Sequence, residues 1–394
     1  MLIAAARIIT ASGPSSGANA VLSPGYVNCV DGRIVGVSAG WPASRPDVVL
    51  RDGFLLPGFV DLQVNGYFGV ELATADAAGW ATVLDRLPET GTTAFLPTFI
   101  TSPIDELTTA LRRLSKLEPE LAVRRGRARI LGVHLEGPFI SPKRPGAHNP
   151  AWIVAPTAES VDALLAAGSG QLKLVTLAPE VDGALAAVKQ FTKAGVLVSA
   201  GHSDATAHQV STAAMCGARM VTHLFNAQRP LHHREPGVVG QALADSRLTS
   251  SLIADLFHVS GQVVAIAFAA APGRICLITD AAACAGMPPG EYILGGEPIE
   301  LAEGDGTPPV RADGTLAGSA LRMDSAVANL VAVGVGLAEA VAAATRLPAN
   351  LIGRPDLGRI AAGAAADLTW VSDDLRTHAT WIAGRQVYGH PLAS

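Results

Sequence analysis

Eight short apolar runs recur along the middle of the chain, and this repetition constrains the fold more than any other feature. They are FVDLQV (59–64), TTAFLPTF (92–99), ARILGVHLE (128–136), LKLVTLA (172–178), VLVSAGH (196–202), MVTHLFN (220–226), SLIAD (251–255) and RICLITDA (274–281). Between most of them lie amphipathic helical patterns such as SPIDELTTALRRLSKL, AESVDALLAAG, GALAAVKQFTKAG and DATAHQVSTAAMCG, several ending at the glycine expected after a helix. Strand and helix alternating eight times predicts an α/β protein with a (β/α)8 TIM barrel. A doubly wound parallel sheet is the competing arrangement, and the count of eight favours the barrel.

Both ends of the chain read differently. MLIAAARIIT, YVNCV and DGRIVGV near the start, and RIAAG, ADLTWVS and TWIAGRQVYG near the end, are short β-like runs with turn residues, and Asp31-Gly32 before an apolar run is a hairpin signal. The expectation is a small β-sandwich-like domain built from residues 1–52 and 359–394, closing around a catalytic barrel at 53–358.

Bulk properties exclude several functions. A formal net charge of -5 without a basic run excludes sequence-independent nucleic-acid binding. The richest apolar stretch, 326–344, is interrupted by Asn329 and Glu339 and reads as one buried helix rather than a membrane span. The cysteines, Cys29, Cys216, Cys276 and Cys284, form no CxxC pair, and the opening MLIAAARIIT lacks the form of a signal peptide; reduced thiols in a cytoplasmic protein are expected.

The chemistry lies in where polar residues interrupt the apolar runs. The third run ends in Glu136, the fifth in His202, the sixth carries His223 and the eighth Asp280, while His258 follows the seventh. Each has a bland reading: a lone histidine is usually hydrogen-bonded structure, and Asp280 before three alanines could cap a helix. Five ionisable groups at the ends of five strand candidates, however, converge on the rim of a barrel where catalytic residues gather. Two imidazoles and a carboxylate (Glu136, His202, His223) are a common catalytic zinc set with one position open. Asp280 is left over and can serve as the base.

The motifs HLEGPF, GAHNP, LAPE, GHSDAT, THLFNA, REPG, LITDA and DGTLAGSALRMD occur in this order, between PGFVDLQVNG at 57–66 and GRIAAGAAADL at 358–368. Together they resemble the N-acetylglucosamine-6-phosphate deacetylases of the amidohydrolase superfamily over nearly the whole chain. The resemblance implies metal-dependent removal of the N-acetyl group, giving glucosamine 6-phosphate and acetate. It implies Glu136, His202 and His223 as metal ligands and Asp280 as catalytic acid/base. His148 of GAHNP would lie near the scissile amide, with Ala147 beside it in the chain as a substrate-binding residue, and Asn226 and Ala227 of THLFNA at the sugar phosphate. Arg234 of REPG and His258 would suit phosphate and sugar contacts, and Leu316, Ala317 and Gly318 would line the substrate. His233, Lys143 and Arg144 are nearby in sequence, and their simpler reading is as solvated loop charges. Phosphate contacts from a neighbouring subunit, and so a homodimer, are also implied.

One departure bears on the metal. Many amidohydrolases carry His-x-His after the first strand, holding a second ion; here Gln63 and Asn65 stand there, and neutral amides are poor zinc ligands. One divalent ion per subunit is therefore expected, with zinc favoured and Fe2+, Co2+ or Mn2+ compatible with the same ligands. The alternatives are a deacetylase of N-acetylgalactosamine 6-phosphate or of another N-acyl amine on the same barrel, and an inactive barrel used for binding, whose mark would be a missing ligand or base.

Overall fold

The run FVDLQV forms a strand, Phe59–Val64 (β1), buried at every position. Seven more follow: Thr92–Ile100 (β2), Val133–Glu136 (β3), Leu172–Leu177 (β4), Leu197–Ala200 (β5), Met220–Val221 (β6), Thr249–Ile253 (β7) and Ile275–Ile278 (β8). The structure is a computed structural model describing residues 1–13, 21–122, 126–304 and 306–390. Every neighbouring pair from β1 to β8 is parallel. The barrel closes where Asp280 N–H donates to the Gln63 carbonyl (3.0 Å) and Asn65 N–H to the Ala281 carbonyl (2.8 Å). Strands covered on both faces need continuous apolar sequence, which is why the eight runs are so plain.

Local chemistry sets the intervening helices. Helix Ala77–Arg86 begins where the Asp76 side chain accepts from Gly79 N–H. Ala158–Gly168 and Ala207–Cys216 open on reciprocal caps, Thr157 with Ser160 and Thr206 with Gln209, and the latter ends at Gly217. Each satisfies backbone donors that a helix start otherwise leaves unpaired.

The expected single helix over 326–344 is two, Met323–Ala332 and Leu337–Ala344. The chain turns at Gly334, whose φ of 94° closes the first helix and lets Val335 N–H bond back to the Leu330 carbonyl. No helix among the described residues is long and apolar enough to cross a membrane.

The two chain ends meet in one six-stranded sheet, ordered Arg385–Tyr388, Thr377–Ile382, Leu368–Val371, Phe54–Pro57, Ile8–Ile9, Val21–Leu22. A four-stranded sheet from the N-terminal segment shares its core, in which Ile3, Val27, Ile34, Leu55, Leu368 and Trp381 are buried. Strands Gly25–Val30 and Arg33–Ala39 form the hairpin signalled by Asp31-Gly32, both with positive φ as such a turn requires. Phe54–Pro57 feeds through Gly58 into β1, so the sheet is anchored directly to the barrel.

Sequence reading did not anticipate an antiparallel hairpin, Gly290–Leu294 with Glu297–Leu301, inserted after β8. Its turn is Gly295-Gly296, both at positive φ. The Gly-Gly pair between two short runs was its only signal.

Candidate active site

β3 ends in Glu136, and the chain leaves β5, β6 and β8 at His202, His223 and Asp280. The last three all adopt left-handed backbone, with φ of 45°, 29° and 53°. Such a conformation is uncommon for non-glycine residues and concentrates where function holds the backbone. Here it turns each chain out of the barrel while leaving the side chain aimed across the rim.

The side chains converge. His223 Nε2 lies 2.8 Å from Glu136 Oε1 and 3.1 Å from His202 Nε2, and His202 Nε2 lies 3.3 Å from the same oxygen. His148 Nε2 approaches the other carboxylate oxygen at 3.6 Å. Glu136, His148 and His202 each present a ligand atom within 4.8 Å of the others, and His223 is closer still to Glu136 and His202. All four side chains are almost completely buried. Burial works against the Glu136 charge, but the three imidazoles packed around it, His148, His202 and His223, prevail and hold its carboxyl well below the ordinary range.

Ring partners distinguish the histidines. His202 Nδ1 lies 3.0 Å from the Arg144 carbonyl, which can only accept, so Nδ1 carries the proton and Nε2 offers a lone pair. His148 is the reverse: the Thr101 N–H donates to its Nδ1 at 3.4 Å and the Thr101 hydroxyl lies at 2.7 Å, so the proton sits on Nε2. Burial, then the neighbouring His202, pushes His148 down to about 4, keeping the ring neutral. His202 thus has a ligand's tautomer and His148 a donor's. His223 Nδ1 is buried with no partner among the described residues, leaving its Nε2 to face Glu136. Two imidazole nitrogens and a carboxylate oxygen crowded this closely fit a divalent cation.

Asp280 sits beside this cluster. Gln63 Nε2 (3.0 Å) and Asn65 Nδ2 (2.7 Å) both donate to its Oδ1. The amides that replace His-x-His therefore clasp the carboxylate at Oδ1, and Oδ2 has no hydrogen-bond partner among the described residues. Burial, then the Glu136 charge, pushes the Asp280 carboxyl up to about 6.

One cavity of about 350 Å3 gathers Glu136, Ala147, His148, His202, His223, Asn226, Ala227, His258, Asp280, Leu316 and Gly318. Ala317 is wholly buried and does not line it. Arg234 is exposed on a loop beside His233 and does not line it either. Lys143 and Arg144 do line it, and Arg144 and Arg229 share Asp204 (2.8 and 2.9 Å). His258 is oriented by Asp255, whose Oδ2 lies 2.6 Å from its Nδ1. A larger hollow of about 840 Å3 lies elsewhere; three of its arginines, Arg127, Arg129 and Arg354, are paired with Asp85, Asp367 and Asp356, so it reads as an ion-paired seam.

Two supporting residues escaped the sequence reading. Asp61, inside β1, accepts from Thr279 Oγ1 (2.6 Å) and from the Thr279 and Gln63 N–H groups, bracing the backbone on either side of Asp280. Its signal was the one used for Glu136, an acid within an apolar run. Thr101, which fixes the His148 tautomer, left no signal at all.

The amidohydrolase family profile matches residues 54–387, a range that contains every one of these groups. The chain belongs to the amidohydrolase family. Among its curated relatives, the N-acetylglucosamine-6-phosphate deacetylase of Lysinibacillus sphaericus is 36% identical over 90% of this chain and 91% of that protein. The N-acetylgalactosamine-6-phosphate deacetylase of Escherichia coli O157:H7 is 38% identical over 89% of this chain and 92% of that protein. In fold, the chain is similar to the N-acetyl-D-glucosamine-6-phosphate deacetylase of Mycobacterium smegmatis, solved in complex with N-acetyl-D-glucosamine-6-phosphate, with a TM-score of 0.91 and 34% identity over 98% of this chain and 99% of that one. The resemblance carried by HLEGPF and THLFNA therefore extends across the amidohydrolase barrel and both end segments.

Proposed function

We propose that this amidohydrolase removes the acetyl group of N-acetylglucosamine 6-phosphate, giving glucosamine 6-phosphate and acetate, with one divalent cation held by Glu136, His202 and His223. The observation that carries the reading is the convergence of these three side chains beside Asp280, whose Oδ2 has no hydrogen-bond partner among the described residues.

Each residue then has a role. Glu136, His202 and His223 would hold the cation, which would supply Lewis-acid chemistry, lowering the pKa of a bound water from about 15.7 toward neutrality. Asp280 Oδ2 takes the proton of the attacking water and passes it to the departing amine. His148 donates its Nε2–H to the carbonyl oxygen as negative charge develops there. Asn226, Ala227 and His258 contact the sugar phosphate, and Leu316 and Gly318 form the lining turn. Zinc suits the two imidazoles and one carboxylate best. Four free cysteines suit a reducing compartment, the cytoplasm. Segments 1–52 and 359–394 serve as the scaffold of the 53–358 barrel.

The base must be ionised to act. With its carboxyl pushed up to about 6, Asp280 becomes protonated as pH falls through that value, so kcat/KM drops on the acid side, by roughly tenfold per unit below the inflection. Cation binding moves the inflection downward, because positive charge favours the carboxylate. A kcat/KM profile flat from pH 7 to pH 4 contradicts a titrating base.

Arg234 lies on an exposed loop with the exposed Leu231, a position suited to the mouth of a second copy's cavity in a homodimer. Its guanidinium fork matches phosphate. Arg234→Ala should raise KM for the phosphorylated substrate roughly tenfold or more, the worth of a charge-assisted hydrogen bond, and leave an unphosphorylated analogue nearly unaffected. Equal effects on both remove Arg234 from phosphate recognition.

The second reading, N-acetylgalactosamine 6-phosphate as substrate, is favoured by the Escherichia coli relative, whose identity matches that of the glucosamine enzymes. Acetate release from the two sugar phosphates in parallel decides between them. A higher kcat/KM for the glucosamine epimer is expected, and the opposite order overturns the assignment.

A further inference from the structure

We infer that Ile100 and Leu294 form the wall that sets the length of the acyl group this site accepts, an inference that rests on the deacylase reading above. The catalytic cavity abuts a second cavity of about 140 Å3, and the two share only Asn65, Ile100 and Leu294. These three side chains are thus the partition. Ile100 ends β2 and Leu294 comes from the hairpin, and both are nearly buried in one small apolar cluster. The hairpin turn is seated on Ile100, since a Cβ added at Gly295 would stand 2.5 Å from Ile100 Cδ1. Only glycine permits that approach.

The chemistry directs the acyl group to this wall. Its carbonyl oxygen faces His148 Nε2–H, and His148 is fixed by Thr101, the residue after Ile100. Its carbonyl carbon meets water beside Asp280, which Asn65 clasps. The remaining substituent is the methyl, the one purely apolar group of the substrate, and it would meet the apolar pair beside these two groups: Ile100, which precedes Thr101 in the chain, and Leu294, which lines the cavity with Asn65. The sugar phosphate requires polar partners, which the cavity lining offers in Asn226, His258, Lys143 and Arg144. Beyond the wall, the second cavity is lined by Glu71, Thr74, Ser102 and Trp152, which leaves space behind Leu294 that a shortened side chain would join to the site.

The test measures kcat/KM for N-acetyl- and N-butyrylglucosamine 6-phosphate with wild-type, Leu294→Ala and Ile100→Val proteins, each checked by thermal melting. The wild type is expected to prefer acetyl. Both variants should raise the butyryl-to-acetyl ratio, Leu294→Ala by roughly tenfold or more, as expected for a pocket that discriminates by methylenes. Ile100→Val removes a single methylene and carries the test if the alanine variant does not fold. Acetate release with an unchanged ratio in the folded variants overturns the wall alone. No acetate release by the metal-loaded wild type overturns the deacylase reading and this inference with it.

Discussion

Asp280→Asn should yield a folded, metal-loaded protein whose turnover falls by roughly 10² or more, the usual contribution of a positioned general base. The amide is nearly the same size, and its oxygen can occupy the Oδ1 position and accept from Gln63 Nε2 and Asn65 Nδ2, which now donate there at 3.0 and 2.7 Å. Its nitrogen would stand at Oδ2, where no proton can be accepted. Geometry is kept and proton transfer lost, so kcat should fall while metal content stays at the wild-type level. Measuring kcat alongside bound metal separates the two. Near-normal turnover at full metal occupancy removes Asp280 from the mechanism.

Glu136→Gln should remove the metal itself. The substitution keeps the shape of the side chain and removes the charge on which three imidazoles converge, the nearest at 2.8 Å. A neutral amide is a poor substitute for a carboxylate at a zinc site. The expectation is a protein that folds but loses metal on dialysis, with acetate release reduced by at least ~10². Stability offers an independent readout. A cation at about 100 times its dissociation constant stabilises the native state by about 2.7 kcal/mol, so the wild type should melt higher with added zinc and the variant should not respond. An equal zinc-dependent rise in both proteins contradicts Glu136 as a ligand.

Much of this arrangement was legible in the sequence, for physical reasons. A barrel strand is covered on both faces, so its sequence is plainly apolar and an acid or histidine at its end stands out. Glu136, His202, His223 and Asp280 were visible on that ground. What the runs could not show is where hydrogen bonding stops: β5 and β6 end at Ala200 and Val221, so His202 and His223 stand just beyond the ladder on left-handed backbone. Other features depend on partners distant in sequence. Thr101 matters only because His148, 47 residues on, folds back against it. Gln63 and Asn65 were recognised as unsuited to a second metal, but their grip on Asp280 spans the barrel seam. The hairpin bearing Leu294 is short and half-polar, so it carried no periodic pattern beyond its Gly-Gly turn.

Metal dependence of the reaction tests the account most directly. Acetate release from N-acetylglucosamine 6-phosphate should be followed on protein whose metal content is measured, before chelation, after chelation, and after titration with zinc. The arrangement of Glu136, His202 and His223 around one site predicts turnover that disappears with the chelator and returns in proportion to zinc, reaching its plateau at one ion per chain. Turnover that survives complete metal removal, or a plateau reached only at two ions per chain, would contradict it.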